Sequence, residues 1–202
     1  MLDFSKDYIL ENEQIRLEPL QVSHISELVE ASEDPFIWVY FFEKGNGLEN
    51  LTNYIANAIH QRKLGKEYPF VVYDKVNNKH VGTTRFYEYS DEIQTIKLGH
   101  TWYGKSARGT GINKHCKYLL FQFAFETLHV ERIGFGAYAD NVVSIAALHS
   151  VGCKTEGFLR NMFPAIDGNG RTDAILLSIL RAEWFTSVQQ ELQQKLQNNL
   201  SI

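Results

Sequence analysis

The segment Thr101–Leu128, TWYGKSARGTGINKHCKYLLFQFAFETL, limits what this chain can fold into more than any other stretch. An extended run ends in a loop of glycine and small polar residues, and a long amphipathic pattern begins directly after it. Gly109 and Gly111 take away side chains where the main chain has to come close to something. A helix that starts there leaves its first N–H groups unbonded and turns the positive end of its dipole toward the loop. That is the electrostatics of an anion site, so the junction is expected to grip a phosphorylated ligand.

The flanking patterns set the rest of the fold. Gln14–Leu20 alternates as a half-buried strand, and Ile25, Leu28 and Val29 share one face of a helix for which Ser23 is the candidate cap. Leu48–Leu64 reads as a second helix with Leu51, Tyr54, Ile55, Ala58 and Ile59 on one stripe. From Phe70 to Tyr103 three strand patterns follow as an antiparallel meander, the first two joined by KVNNK, whose asparagines tolerate a tight turn. Glu131–Ala139 is a further strand, and Asp140 and Asn141 open a short helix. Two more strands lie on either side of the turn Asp167–Gly170, and a polar, Gln-rich helix runs from Arg181 to Leu200, anchored by Trp184 and Phe185. The order β-α-α-β-β-β-α-β-α-β-β-α predicts an α/β domain of the α+β type, with a central mixed, mostly antiparallel sheet flanked by helices.

A single domain is expected over residues 1–202, with its C-terminal helix from about 182, because no repeat, low-complexity block or linker interrupts the 202 residues. The net charge of −4 supplies no basic field for nucleic acid or an anionic membrane surface. No window reaches the roughly 20 apolar residues of a membrane span, and the first residues carry no signal-peptide pattern. Cys116 and Cys153 stand apart, without a CxxC pair or a nearby His, so no metal site is expected. Both read as buried structural thiols, in keeping with a reducing, cytoplasmic setting.

Several phosphate loops compete for the junction. A nucleotide P-loop needs Gly-Lys-Ser/Thr, but Gly111 is followed by Ile112, Asn113 and Lys114. A dinucleotide loop starting at Gly109 needs glycine where Lys114 stands, and expects a βαβ unit at the start of the domain. The pattern R-x-x-G-x-[G/A] is met at Arg108 and Gly111, with Asn113 in the last place. Here the chain resembles the GNAT acetyltransferases, and most closely their RimJ/RimL-like branch. QIRLEPL, HVGTTRF, LGHTWY with ARGTGIN, LFQFAFETLHVERI, ADNVVSIAALHSVGCKTEGFLR and DGNGRTDAILLSILRAEW follow in the order of that branch and cover most of the chain.

The resemblance implies acetyl-CoA as cofactor. Backbone amides of Arg108, Gly109, Thr110, Gly111, Ile112 and Asn113 would cradle the pyrophosphate, with Arg108 and Lys114 adding charge. The pantetheine arm would pair with main chain at Thr101, Trp102 and Tyr103, across from the strand Ile133–Tyr138. Asn141 matches a position that hydrogen-bonds the arm, and Ser144 matches a hydroxyl that serves as acid for the departing thiolate; the alternative is that Asn141 caps its helix and Ser144 completes the first turn. The family often carries a carboxylate where this chain has Lys97, which leaves the amine base open. Glu88, Asp91 and Glu92 are candidates that also read as solvated turn residues. His100 could act as base through water, or line the pocket as a plain histidine.

The aromatic run Phe36–Glu43 falls in the family's acceptor loop, so Trp38, Tyr40 and Phe41 are expected to wall the amine pocket; a core cluster or a homodimer face is the other reading. Without a strong base, an α-amine of pKa about 7.7–8.0 is a far easier acceptor than a lysine at about 10.4. The expected partner is therefore a protein N terminus. A small-molecule amine is the alternative, and a third reading is an acyl-CoA-binding module without catalysis.

Overall fold

The computed structural model describes residues 1–198. Leu200, at the end of the expected C-terminal helix, lies outside them. An eight-stranded sheet runs in the order β1 (Leu10–Glu11), β2 (Ile15–Pro19), β3 (Glu67–Asp74), β4 (Lys79–Ser90), β5 (Thr95–Tyr103), β6 (Arg132–Tyr138), β8 (Arg171–Leu180) and β7 (Lys154–Pro164). Every neighbouring pair is antiparallel except β5 and β6. The mixed, mostly antiparallel sheet is the one expected from the order of elements.

Helices cover both faces because alternate strand residues are apolar on both sides. Val71 and Trp102 point into one core with α1 (Ile25–Ser32) and α2 (Leu48–Lys63), through Leu28, Leu51, Tyr54 and Ile55. Phe70, Val72, Leu98 and Ile133 point into the other, with α3 (Ile112–Gln122), the end of α4 (Val142–Ser150) and the C-terminal helix. That last helix combines α5 (Arg181–Glu183), a π turn at Trp184–Val188 and α6 (Gln189–Asn198). Its anchor is Trp184, fully buried with its indole N–H donating to Glu126 Oε1 at 3.1 Å. Phe185, expected to share that role, is 52% exposed under the Arg181 guanidinium.

The start of α1 also differs from expectation. A short 3-10 turn, Val22–His24, precedes it, and the Gln21 N–H is held by His24 Nδ1 at 3.1 Å, so Ser23 caps nothing. The same histidine belongs to a small polar cluster with Glu18 and His80, whose ligating atoms lie within 4.8 Å of one another. His24 Nε2 lies 3.5 Å from Glu18, and the His80 ring bonds Glu18 at 3.3 Å and Glu27 at 2.5 Å. The cluster is thus a hydrogen-bonded tie between β2, α1 and β4 rather than a set of free metal donors.

Candidate active site

The parallel pairing of β5 and β6 is short: Thr95, Ile96 and Lys97 face Arg132, Ile133 and Gly134, and then it stops. Beyond that point β5 stays with β4 as far as the Gly82–Tyr103 pair, while β6 stays with β8 as far as Tyr138–Ala174. The sheet splits into a wedge whose two inner edges are backbone without a strand partner. Such edges offer N–H and C=O groups to an extended ligand.

A bulge in β5 drives the split. Thr83 pairs with Trp102 and Arg85 with Gly99, so His100 and Thr101 together oppose the single residue Thr84. His100 takes a left-handed backbone, φ 49°, at this point. Histidine tolerates that region better than most residues but still pays for it, and strain of this kind tends to collect at working sites.

The wedge opens onto the glycine loop. After Tyr103, the Gly104 N–H bonds Val81 O at 2.8 Å, a 3-10 turn spans Lys105–Ala107, and α3 starts at Ile112. Gly109 and Gly111 hold φ of 77° and 94°, values that a side chain would strain. Within the described residues, the main-chain N–H groups from Gly109 to Asn113 have no protein acceptor, while the Lys114 N–H closes back on Gly111 O at 2.8 Å. Unbonded amides ahead of an eleven-residue helix fit a diphosphate. Arg108 is less free than expected: its guanidinium is spent on Asp34 at 2.9 Å and on Tyr103 O at 2.9 Å, so it fixes the loop to β5 and to the α1–α2 connection. Thr110 likewise bonds Ala107 O.

Side chains along β5 divide between the two faces. Tyr103 donates to Asn113 Oδ1 at 3.3 Å and lies against Cys116 on the α3 side. Thr101 bonds Thr84 Oγ1 at 2.7 Å on the same side. Trp102 is buried with Trp38, their ring centroids 5.3 Å apart, on the α1–α2 side. At the far edge of the wedge Asn141 caps α4, its Oδ1 accepting from the N–H of half-buried Ser144 at 3.1 Å. The capping role expected as the alternative is therefore present, and the Asn141 amide NH2 is left for another partner.

The aromatic loop reaches across the wedge. The Tyr40 hydroxyl donates to Asp140 O at 3.3 Å, its ring lies 5.3 Å from that of Tyr138, and Phe41 comes within 6.4 Å of the His100 ring. Trp38 corrects the expectation of a pocket wall. At 1% exposure, with its indole N–H on Ser32 O at 2.8 Å, it is core that backs Phe41 and Tyr54.

His100 is exposed at the β5 bulge, with dense protein behind it. Burial, reinforced by the Arg85 guanidinium, pushes its pKa down to about 4, so the ring is neutral at pH 7. Around it stand Tyr87, 5.4 Å between ring centroids, and buried Arg85, which pairs with Glu67 at 2.6 Å and sits over the Tyr54 ring. Lys97 is bound to Glu88 at 2.6 Å, and the Tyr89 hydroxyl donates to Asp91 at 2.7 Å, which draws both carboxylates into local turn contacts. Two residues of the site escaped the sequence reading, Arg85 and Lys117. Lys117 could have been found by phase, since it shares the buried face of α3 with Leu120 and Phe121.

A cavity of about 680 Å³ also opens between the N-terminal segment and the end of α2. Its Arg62 is held by Asp7 and by the carbonyls of Phe4 and Lys6. The wedge is the better candidate.

A parted parallel strand pair with unbonded amides at its mouth has the shape and polarity to take an extended ligand that carries a diphosphate. The family model for the acetyltransferase (GNAT) domain matches residues 14–154, more than half of the sequence, and the chain belongs to that family. It is an acetyl-CoA-dependent N-acetyltransferase. Its fold is similar to that of a GCN5-related N-acetyltransferase from Brucella melitensis, with a TM-score of 0.85 at 23% identity over 94% of this chain and 85% of that one. The microcin C7 self-immunity acetyltransferase MccE, solved with acetyl-CoA and AMP, superposes with a TM-score of 0.72 at 19% identity, covering 84% of this chain and 93% of that one. A Vibrio cholerae protein assigned as a ribosomal-protein-serine acetyltransferase gives 0.71 at 21% identity, covering 86% and 97%. No curated protein matches the chain.

Proposed function

We propose that this enzyme acetylates the α-amino group of a protein or peptide N terminus, as in the RimJ/RimL-like branch. The observation that carries the reading is Lys97, tied to Glu88 at 2.6 Å, at the strand position where the family often has a carboxylate. Such a site accepts an amine that sheds its proton readily. At pH 7 on the order of a tenth of α-amines are already neutral, against less than one lysine in a thousand.

In this reading the amides of Gly109 to Asn113 hold the diphosphate, with Lys114 beside them, and Asn141 donates to the pantetheine arm. Acetyl-CoA supplies the activated acyl group. His100, too weak a base to hold the amine proton, orients the water through which that proton leaves for solvent, and the Ser144 hydroxyl donates a hydrogen bond at the departing sulfur. Tyr40 and Phe41 wall the acceptor pocket. Buried Arg85, paired with Glu67 behind the His100 ring, helps to keep that ring neutral. Two buried, unpaired thiols, Cys116 and Cys153, support a reducing cytoplasmic setting.

The test is thiol release from acetyl-CoA with three acceptors: peptides with a free N terminus, the same peptides blocked but carrying lysine, and small primary amines. Turnover with the first group is expected. A preference for lysine side chains or for small amines would overturn the reading.

A further inference from the structure

Lys117 has no place in the mechanism so far, yet it lies at the centre of the wedge. It projects from α3 with 4% of its surface exposed. Its Nζ is 3.3 Å from Thr101 Oγ1 on β5 and 5.8 Å from the centre of the Phe135 ring on β6. Both residues come after the last paired positions, Lys97 and Gly134, so the amine bridges the two strands where they have parted. Thr101 Oγ1 is its one hydrogen-bond partner among the described residues, and that oxygen is already shared with Thr84 and Gly99 O. An ammonium has three N–H groups, and two of these are left without an acceptor.

Among the described residues no carboxylate pairs with the Lys117 amine. The titratable groups that bear on Lys117 are the thiols of Cys116 and Cys153, each pushed up to about 12 by burial and hence uncharged. Burial in turn pushes the lysine down to about 8. A buried cation without a counter-charge is costly, and it is tolerable where an electron-rich group arrives with a ligand.

We infer that Lys117 is the cationic partner of the coenzyme's sulfur, donating a hydrogen bond to it and giving it a proton as the carbon–sulfur bond breaks. The inference rests on the acetyl-CoA assignment. The acceptor nitrogen's lone pair forms the new C–N bond, the C–S bonding pair stays on sulfur, and the Lys117 proton converts the thiolate to thiol. The neutral Lys117 amine then recovers a proton from solvent, matching the one the acceptor nitrogen releases. Acid strengths favour this donor: an alkyl thiol ionises near ~8.5, close to Lys117, whereas the Ser144 hydroxyl donates a hydrogen bond but is too weak an acid to part with its proton.

The inference is tested by ultraviolet titration of the thiolate of bound coenzyme A in the wild-type protein and in Lys117→Met, with each protein's desulfo-coenzyme A complex as baseline. Lys117→Gln serves as a second variant if the first does not fold. In the wild type the bound thiol is expected to ionise about tenfold more readily than free coenzyme A, and in the variant no more readily. Equal ionisation in both proteins would overturn the inference. If the variant fails to bind coenzyme A but still binds the desulfo compound, the sulfur contact is supported; equal loss of both ligands would mark Lys117 as structural and overturn it. Binding of neither ligand by the wild type would instead remove the acetyl-CoA assignment, and the inference with it.

Discussion

Lys97 and Gly134 are the last residues at which β5 and β6 run side by side; one step further the strands diverge and stay apart. The bulge at His100–Thr101 bends β5 just beyond this pair, and the Gly109–Gly111 turn ends the opening with unbonded amides. In the proposed reading backbone geometry sets where the coenzyme lies, and side chains add charge and proton transfer. The predictions separate these contributions.

Gly111→Ala forces a side chain onto a backbone with φ 94° at the N-terminal cap of α3. The strain costs about 1 kcal/mol of stability, seen as a lower Tm. The disturbed amides should weaken coenzyme A at least about tenfold by isothermal titration. A variant that loses stability but keeps its affinity would separate the loop from the ligand.

His100 makes stability depend on acid. Its folded pKa, about 4, is below the unfolded value of 6.5, so the folded state binds fewer protons between those limits. Its contribution is fully present above pH 6.5 and is lost as pH falls toward 4. Replacing it with Asn, which also tolerates the left-handed backbone, should flatten denaturant midpoints over that window and change the midpoint above pH 7 less than the one below it. The neutral ring also predicts no activity step at the usual histidine pKa.

Lys117 acts at the alkaline end. With a folded pKa of about 8 against 10.5, the folded chain sheds this proton first, so stability rises with pH between those values. At pH 7 both states carry the charge, and the folded state bears the burial cost. Lys117→Met should therefore be neutral or stabilising by about 1–3 kcal/mol at pH 7 in urea melts, and should remove the alkaline rise.

In the proposed reading Tyr40 and Phe41 wall the acceptor pocket, and neither belongs to the glycine loop. Phe41→Ala should raise the KM for the amine acceptor several-fold while leaving coenzyme A affinity within about twofold of wild type. An equal loss of both would place Phe41 in the packing of the core instead.

The sequence made the architecture legible where its periods were long. The meander, the glycine loop, the Asn141 helix start and the two closing strands lie where apolar spacing and turn residues place them. Two-residue β1 was invisible because Leu10–Glu11 is too short to show an alternation. Ser23 has the chemistry of a cap, but the 3-10 turn gave that position to Gln21 and His24. Trp38 reads the same whether it lines a pocket or fills a core, and only packing against Trp102 and Tyr54 decides. The bulge at His100 lacks a glycine at its left-handed position, so no local signal announced it. Arg85 and Lys117 acquire meaning only through residues far along the chain, Glu67 for one and Phe135 for the other.

The most direct measurement of the central claim is an amide chemical-shift map of the protein on addition of acetyl-CoA. The account predicts the largest shifts at the N–H groups from Gly109 to Asn113, followed by the facing edges at Thr101–Tyr103 and Phe135–Tyr138. Saturable shifts confined to other elements, or no shifts at millimolar acetyl-CoA, would contradict it.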